Sequence, residues 1–166
     1  MDTIRQFNAN PKSADTSQLT ETINPLTARQ NQSLKSLART LSLSAHRFTL
    51  ILVRSNQPGS LDNVFQQLNE HYSVQPRILY LPENSRSLFS AIQSVSLTFQ
   101  GLMVIGLDDI SDLDEFLITT NQMRNEFRHQ FHFPVVLWAN DETIGKLVKL
   151  APDFYSWASG PINLDC

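Results

Sequence analysis

The residues best placed to do chemistry lie in polar turns that follow short apolar runs. The first turn, Arg54-Ser55-Asn56-Gln57-Pro58-Gly59-Ser60-Leu61, leads into an amphipathic stretch. A loop of the form G-x-x-x-x-G-K-[ST] in such a place cradles phosphate with backbone amides, while its lysine reaches the outer phosphates and its hydroxyl ligates Mg²⁺. With Gly59 set on the second motif glycine, Arg54 falls on the first glycine, Ser60 on the lysine and Leu61 on the hydroxyl. A charged hydrogen bond contributes on the order of 1.5–3 kcal/mol, so losing the lysine and the hydroxyl weakens nucleotide binding by roughly two to four orders of magnitude. Any phosphate binding would fall to the amides and side chains of Arg54, Ser55, Asn56, Gly59 and Ser60, acting as an anion nest with Arg54 or Arg86 as substitute cation. The plainer reading makes Arg54 a solvated or capping residue and Gly59 a turn residue after Pro58.

A second run ends Leu102-Met103-Val104-Ile105-Gly106-Leu107-Asp108-Asp109. A Mg²⁺-holding acid would stand at the strand end, where this chain has Gly106; Asp108 and Asp109 come two and three residues late. Together with Ser111, Asp112 and Asp114 they precede a helix, where carboxylates cap amides and complement the dipole. A further run ends Leu137-Trp138-Ala139-Asn140, which puts Asn140 either where a polar residue senses bound nucleotide or, with Asp141 and Glu142 behind it, at a helix N-cap. His46, His71, His129 and His132 include no i,i+4 pair and no partnering cysteine, which argues against zinc. No G-x-S-x-G elbow marks a serine as nucleophile. Arg124, Arg128 and His129 form a small basic helical face, ordinarily a solvated one. In Ala151-Pro152-Asp153-Phe154-Tyr155-Ser156-Trp157, the three aromatics cannot all turn inward from one short helix or turn. Phe154, Tyr155 and Trp157 are therefore candidate partner anchors, the alternative being closure of the core edge.

The elements that must position these turns follow from periodicity. Asn24-Pro25 starts a helix whose stripe is Leu34, Leu37, Ala38, Leu41 and Ala45. From His46 onward, apolar runs alternate with amphipathic stretches, the pattern of consecutive βα units. The strands are Phe48–Arg54, Arg77–Leu81, Leu102–Gly106, Pro134–Ala139 and, more weakly, Pro161–Asp165. The third and fourth do not alternate, as central strands covered on both faces should not. Helical faces lie between them: Leu61, Val64, Phe65, Leu68 and Tyr72; Leu88, Ile92, Val95 and Phe99; one long helix bearing Leu113, Phe116, Leu117, Met123, Phe127 and Phe131; and Ile144, Leu147, Val148 and Ala151. Right-handed crossovers turn this order into an open three-layer α/β sandwich on a five-stranded, mainly parallel sheet, preceded by an N-terminal helix.

At 166 residues the chain fits one folded unit, residues 24–166. Residues 1–23 bury too little to offset their ordering entropy and read as a flexible arm. Hydrophobic residues are 41% and charged residues 17%, so Ser, Thr, Asn and Gln make much of the surface. A net charge of −3 supplies no basic stripe for nucleic acid. The one cysteine, Cys166, leaves no internal disulfide, in keeping with a reducing, cytoplasmic setting. No apolar stretch is long enough to span a bilayer.

The order of these motifs resembles the nucleotide-binding domain at the front of many bacterial, especially cyanobacterial, STAND-type proteins that carry tetratricopeptide or other repeats. The resemblance covers roughly residues 46–165 and rests on Phe48 to Asn56, Leu102 to Leu107, Asn121 to Phe127, Pro134 to Asn140 and Ala151 to Trp157. It implies a P-loop NTPase-like core with strand order 5-1-4-3-2 and a role as regulatory switch or assembly platform. The departures at Arg54, Ser60, Leu61 and Gly106 affect the Walker A loop and the Walker B acid and point away from hydrolysis. The sequence thus leads to a non-catalytic protein-interaction or regulatory module with no cofactor, its partner another protein or the remainder of a longer chain. The alternative is an NTP-binding switch, taking ATP or ADP through an atypical phosphate loop.

Overall fold

The computed structural model describes residues 25–57, 60–95 and 100–164. The amino-terminal arm, Asn24, Gly59, Phe99 and Asp165 lie outside the described residues.

Five short strands form one sheet: β1 (Thr49–Arg54), β2 (Arg77–Tyr80), β3 (Leu102–Ile105), β4 (Pro134–Ala139) and β5 (Ile162–Asn163). Every pairing is parallel, and the order is β2-β3-β4-β1-β5, that is 5-1-4-3-2. All six residues of β4 are buried, which explains its unbroken apolar run: both faces are covered and neither edge is open. β1 is internal as well, paired with β4 through Thr49↔Pro134 to Arg54↔Ala139. β2 is an edge strand whose end residues are exposed.

Successive side chains of a strand point to opposite faces, and the buried residues divide accordingly. One face carries Ile51, Val53, Met103, Val136 and Trp138, covered by α1 (Pro25–Leu43) and α2 (Ser60–Tyr72). The other carries Leu50, Leu52, Val104, Val135 and Leu137, covered by α3 (Leu88–Gln93), α4 (Leu113–Gln122), α5 (Arg124–Gln130), α6 (Asp141–Leu150) and α7 (Pro152–Tyr155). The chain leaves β1 for the far edge over the first face and returns through β3 and β4 over the second. That reversal is what right-handed crossovers require when strand order changes direction.

The α1 stripe is as expected, with Leu34, Leu37, Ala38 and Leu41 buried; Ala45 lies beyond the helix end. Two expectations need correction. The long helix after β3 is two helices, because Met123 leaves helical geometry at φ −95 and ψ 10 and its carbonyl accepts the Glu126 N–H at 2.9 Å. Val148, assigned to a buried face, is exposed, since Ile144, Leu147 and Ala151 already fill the contact of α6 with the sheet.

Aromatic rings fill the second core. Phe127 packs against Phe48, Phe89, Phe131 and Phe154 with centroids 5.0–5.8 Å apart, in tilted and edge-on geometries that suit the ring quadrupole. The Asn121 side chain accepts the Phe154 N–H at 3.0 Å and so seats α7 on this cluster. Two stretches that the sequence shows 27 or more positions apart are thereby one structural unit.

Candidate functional site

In an open parallel sheet, ligands bind beyond the carboxyl ends of the strands where neighbouring loops diverge to opposite faces. Here that place lies between β1 and β4, adjacent strands followed by α2 on one face and α6 on the other. Arg54 ends β1, and Ser55, Asn56 and Gln57 follow it. Asn140 and Asp141 follow β4, and Asp108 follows β3.

Arg54 is committed to a carboxylate. Its Nε donates to Asp141 Oδ1 and its second guanidinium nitrogen donates to Asp141 Oδ2 at 3.2 Å, a bidentate pair joining the ends of adjacent strands. Asn56 completes the clamp: its Nδ2 donates to Asp141 Oδ2 at 3.2 Å, and its Oδ1 accepts the Asp141 backbone N–H at 3.0 Å. The hydrogen bond from Arg54, with help from Asn56, holds the Asp141 carboxyl below its ordinary value of 3.8, against a smaller opposing effect of desolvation. Both side chains are partly exposed, so solvent screens the pair; it fixes geometry more than it adds stability.

Two of the amides that an anion nest would draw on are also in use. Ser55 N–H donates to Ala139 O at 3.0 Å, and Gln57 N–H donates to Ser55 Oγ at 3.4 Å. Ser60 opens α2, and Arg86 stands on the loop before α3, across the sheet from β1.

The glycine at the end of β3 has its own physical reason. Gly106 has φ +99, and a Cβ there would sit 2.9 Å from the Leu81 carbonyl oxygen. An acid at this position would meet both backbone strain and a clash with backbone. The carboxylate therefore enters later, at Asp108, whose Oδ1 accepts the Asn140 N–H at 3.0 Å. Asp108 thus ties the β3 loop to the β4 loop; it does not cap the helix that follows it, and Asp112 at that helix start makes no side-chain cap bond. Asn140 is an N-cap, its Oδ1 accepting the Thr143 N–H at 2.9 Å. Among the described residues, no group of three or more His, Cys, Asp or Glu side chains could hold a metal ion.

Beside the clamp lies a cleft of about 330 Å³, lined by the β1 loop, Leu61, Ile105, Gly106, Asp108, Asp109 and Trp138. Trp138 is only 7% exposed, yet its Nε1–H has no hydrogen-bond acceptor among the described residues. A buried unsatisfied donor costs about 1–3 kcal/mol.

The aromatic segment is placed differently. Phe154 is fully buried against Phe127 and Trp157, out of reach of a docking partner. Trp157 is half-buried, edge-on to Phe48 and covered by the Arg128 guanidinium 4.0 Å above its ring; Tyr155 is half-buried against the same core. The two arginines of the basic face expected on α5 are engaged: Arg128 stacks on Trp157, and Arg124 donates to the Asn121 carbonyl at 2.8 Å and lies 3.9 Å from Asp153.

Asp141 is the residue that motif reading missed. An arginine ending one strand and an acid following another become a pair only once those strands are neighbours.

The architecture is that of a parallel three-layer α/β domain whose switch-point crevice is bridged by an arginine–aspartate pair. No protein-family model, curated protein or solved structure matches the chain. No helix among the described residues is long and apolar enough to cross a membrane.

Proposed function

We propose that this chain is a non-catalytic protein-interaction or regulatory module on a P-loop NTPase-like scaffold. The observation that carries the reading is the Arg54–Asp141–Asn56 clamp. In a nucleotide site of this topology, the loop after β1 needs an available cation and unoccupied amides. In this chain its arginine faces a carboxylate, and the Ser55 and Gln57 amides bond within the protein. A polyphosphate would have to displace Asp141 and would still meet Asp108 and Asp109.

The docking half of the proposal draws on β2. It is an edge strand, and its Tyr80 is 63% exposed, a large aromatic standing beside a row of backbone groups that another chain can pair with. The resemblance to STAND-type domains accords with a platform whose partner is another protein or the remainder of a longer chain.

Thermal unfolding with ATP or ADP at 1 mM, with and without Mg²⁺, tests the nucleotide-independent half. A site with Kd near 100 μM would add about 1.4 kcal/mol; no shift in Tm is expected. A reproducible stabilisation by nucleotide favours the switch reading instead. Tyr80→Ser tests the other half: it should leave Tm nearly unchanged and weaken capture of the partner.

A further inference from the structure

We propose that β2 pairs with β2 of a second copy of this chain, antiparallel about a two-fold axis at Leu79, so that two five-stranded sheets join edge to edge. The inference rests on the reading of β2 as the docking edge and names its partner. Arg77 N–H donates to Gly101 O and Leu81 N–H to Ile105 O, both at 2.8 Å. Bonded residues alternate along a parallel ladder, so Leu79 belongs to this inward set. Ile78 and Tyr80 therefore turn their N–H and C=O groups to the edge that is open among the described residues. That row is closed off in the same way on both sides. Pro76 and Pro82 hold the next outward positions, at equal distances from Leu79, and neither has an N–H. The Pro82 carbonyl is moreover taken by the Ser85 N–H at 3.0 Å and the Ser85 hydroxyl at 2.6 Å.

A segment of this kind is complementary to itself. With Leu79 on the axis, Ile78 faces Tyr80 of the second copy and Tyr80 faces its Ile78, each pair exchanging both backbone hydrogen bonds. A shift of register in either direction sets Ile78 or Tyr80 against a proline and leaves its carbonyl without a donor. The side chains agree with the same register. Tyr80, 63% exposed in the single chain, packs across the axis on the half-buried Ile78, an aromatic side chain against a β-branched one. Arg77 comes to lie opposite Leu81 and one diagonal step from the exposed Glu83 of the second copy, so opposite charges meet at both ends of the pairing and like charges are nowhere directly opposed. Because the contact is two-fold and the prolines end the ladder, the pairing stops at a dimer and does not propagate into a fibre.

Sedimentation equilibrium of the full-length chain over a concentration series tests the proposal, and a reversible dimer is the expected result. Tyr80→Pro removes an outward donor that the β2–β3 ladder does not use. It should raise the Kd of the dimer at least about tenfold and leave the far-ultraviolet circular dichroism spectrum unchanged. Leu79→Cys, in a chain that also carries Cys166→Ser, faces its own copy across the axis at a spacing that suits a disulfide, and should cross-link under mild oxidation. Arg77→Cys in the same background stands away from its own copy and should not. A monomer at every concentration, a dimer that Tyr80→Pro leaves unweakened, or cross-linking through Arg77→Cys in preference to Leu79→Cys overturns the proposal. A monomer that captures a different protein, or the remainder of a longer chain, and loses it on Tyr80→Ser overturns the dimer alone and leaves β2 as the docking edge.

Discussion

Arg54 and Asp141 lie 87 positions apart in the chain and form a bidentate ion pair across the carboxyl ends of neighbouring strands. The parallel β1–β4 pairing ends at Arg54↔Ala139, which brings Asp141, two residues further on, over the end of β1. The crevice beyond the carboxyl ends of these strands, the place where open parallel sheets bind ligands, is thereby bridged by a side-chain ion pair.

The pair has a signed pH dependence. The Asp141 carboxyl is lowered below 3.8 in the folded chain, so its contribution is complete above its unfolded value and is lost as pH falls through the lower folded value. Thermal unfolding of the native chain and Asp141→Asn should show a small gap in Tm at neutral pH that closes in strong acid. A gap that widens on acidification contradicts this sign.

Glycines provide opposite predictions. Gly106→Ala places a Cβ at φ +99 against the Leu81 backbone and should destabilise by about 1–3 kcal/mol. Gly145→Ala, inside α6 with nothing within 4 Å of the new Cβ, should stabilise by about 0.5–1 kcal/mol. Urea unfolding of both variants distinguishes strain at one glycine from open space at the other.

Asn140→Ala removes the N-cap of α6 and should cost about 1 kcal/mol. The loss should appear in urea unfolding as a lower midpoint with an unchanged slope.

Phe127→Ala removes the ring at the centre of the aromatic cluster and should cost about 3–5 kcal/mol in the same measurement. A loss below about 1 kcal/mol would mean that Phe127 does not organise this core.

Much of the fold is legible in the sequence because a parallel sheet covered on both faces leaves uninterrupted apolar runs. Pro134–Ala139 is read to its boundaries for that reason, whereas β5, with two residues and one covering face, leaves only a weak trace. The break at Met123 is hidden because Phe116, Leu117, Phe127 and Phe131 hold helical spacing across it; the bend is set by packing, not by a proline or glycine. Phe154 is ambiguous because its burial depends on Asn121 and Phe127, contributed by other helices. At the site, the departures from a phosphate loop are visible residue by residue, and the N-cap role of Asn140 is local. The partner of Arg54 is not local, and neither is the orphaned N–H of Trp138, since each depends on which strands become neighbours.

Calorimetric titration of the chain with ATP and ADP, with and without Mg²⁺, tests the central claim most directly. The account predicts no saturable heat at millimolar nucleotide. Binding tighter than about 100 μM, equivalent to roughly 5.5 kcal/mol, and lost in Arg54→Ala, would show that Arg54 leaves Asp141 for phosphate and would contradict it.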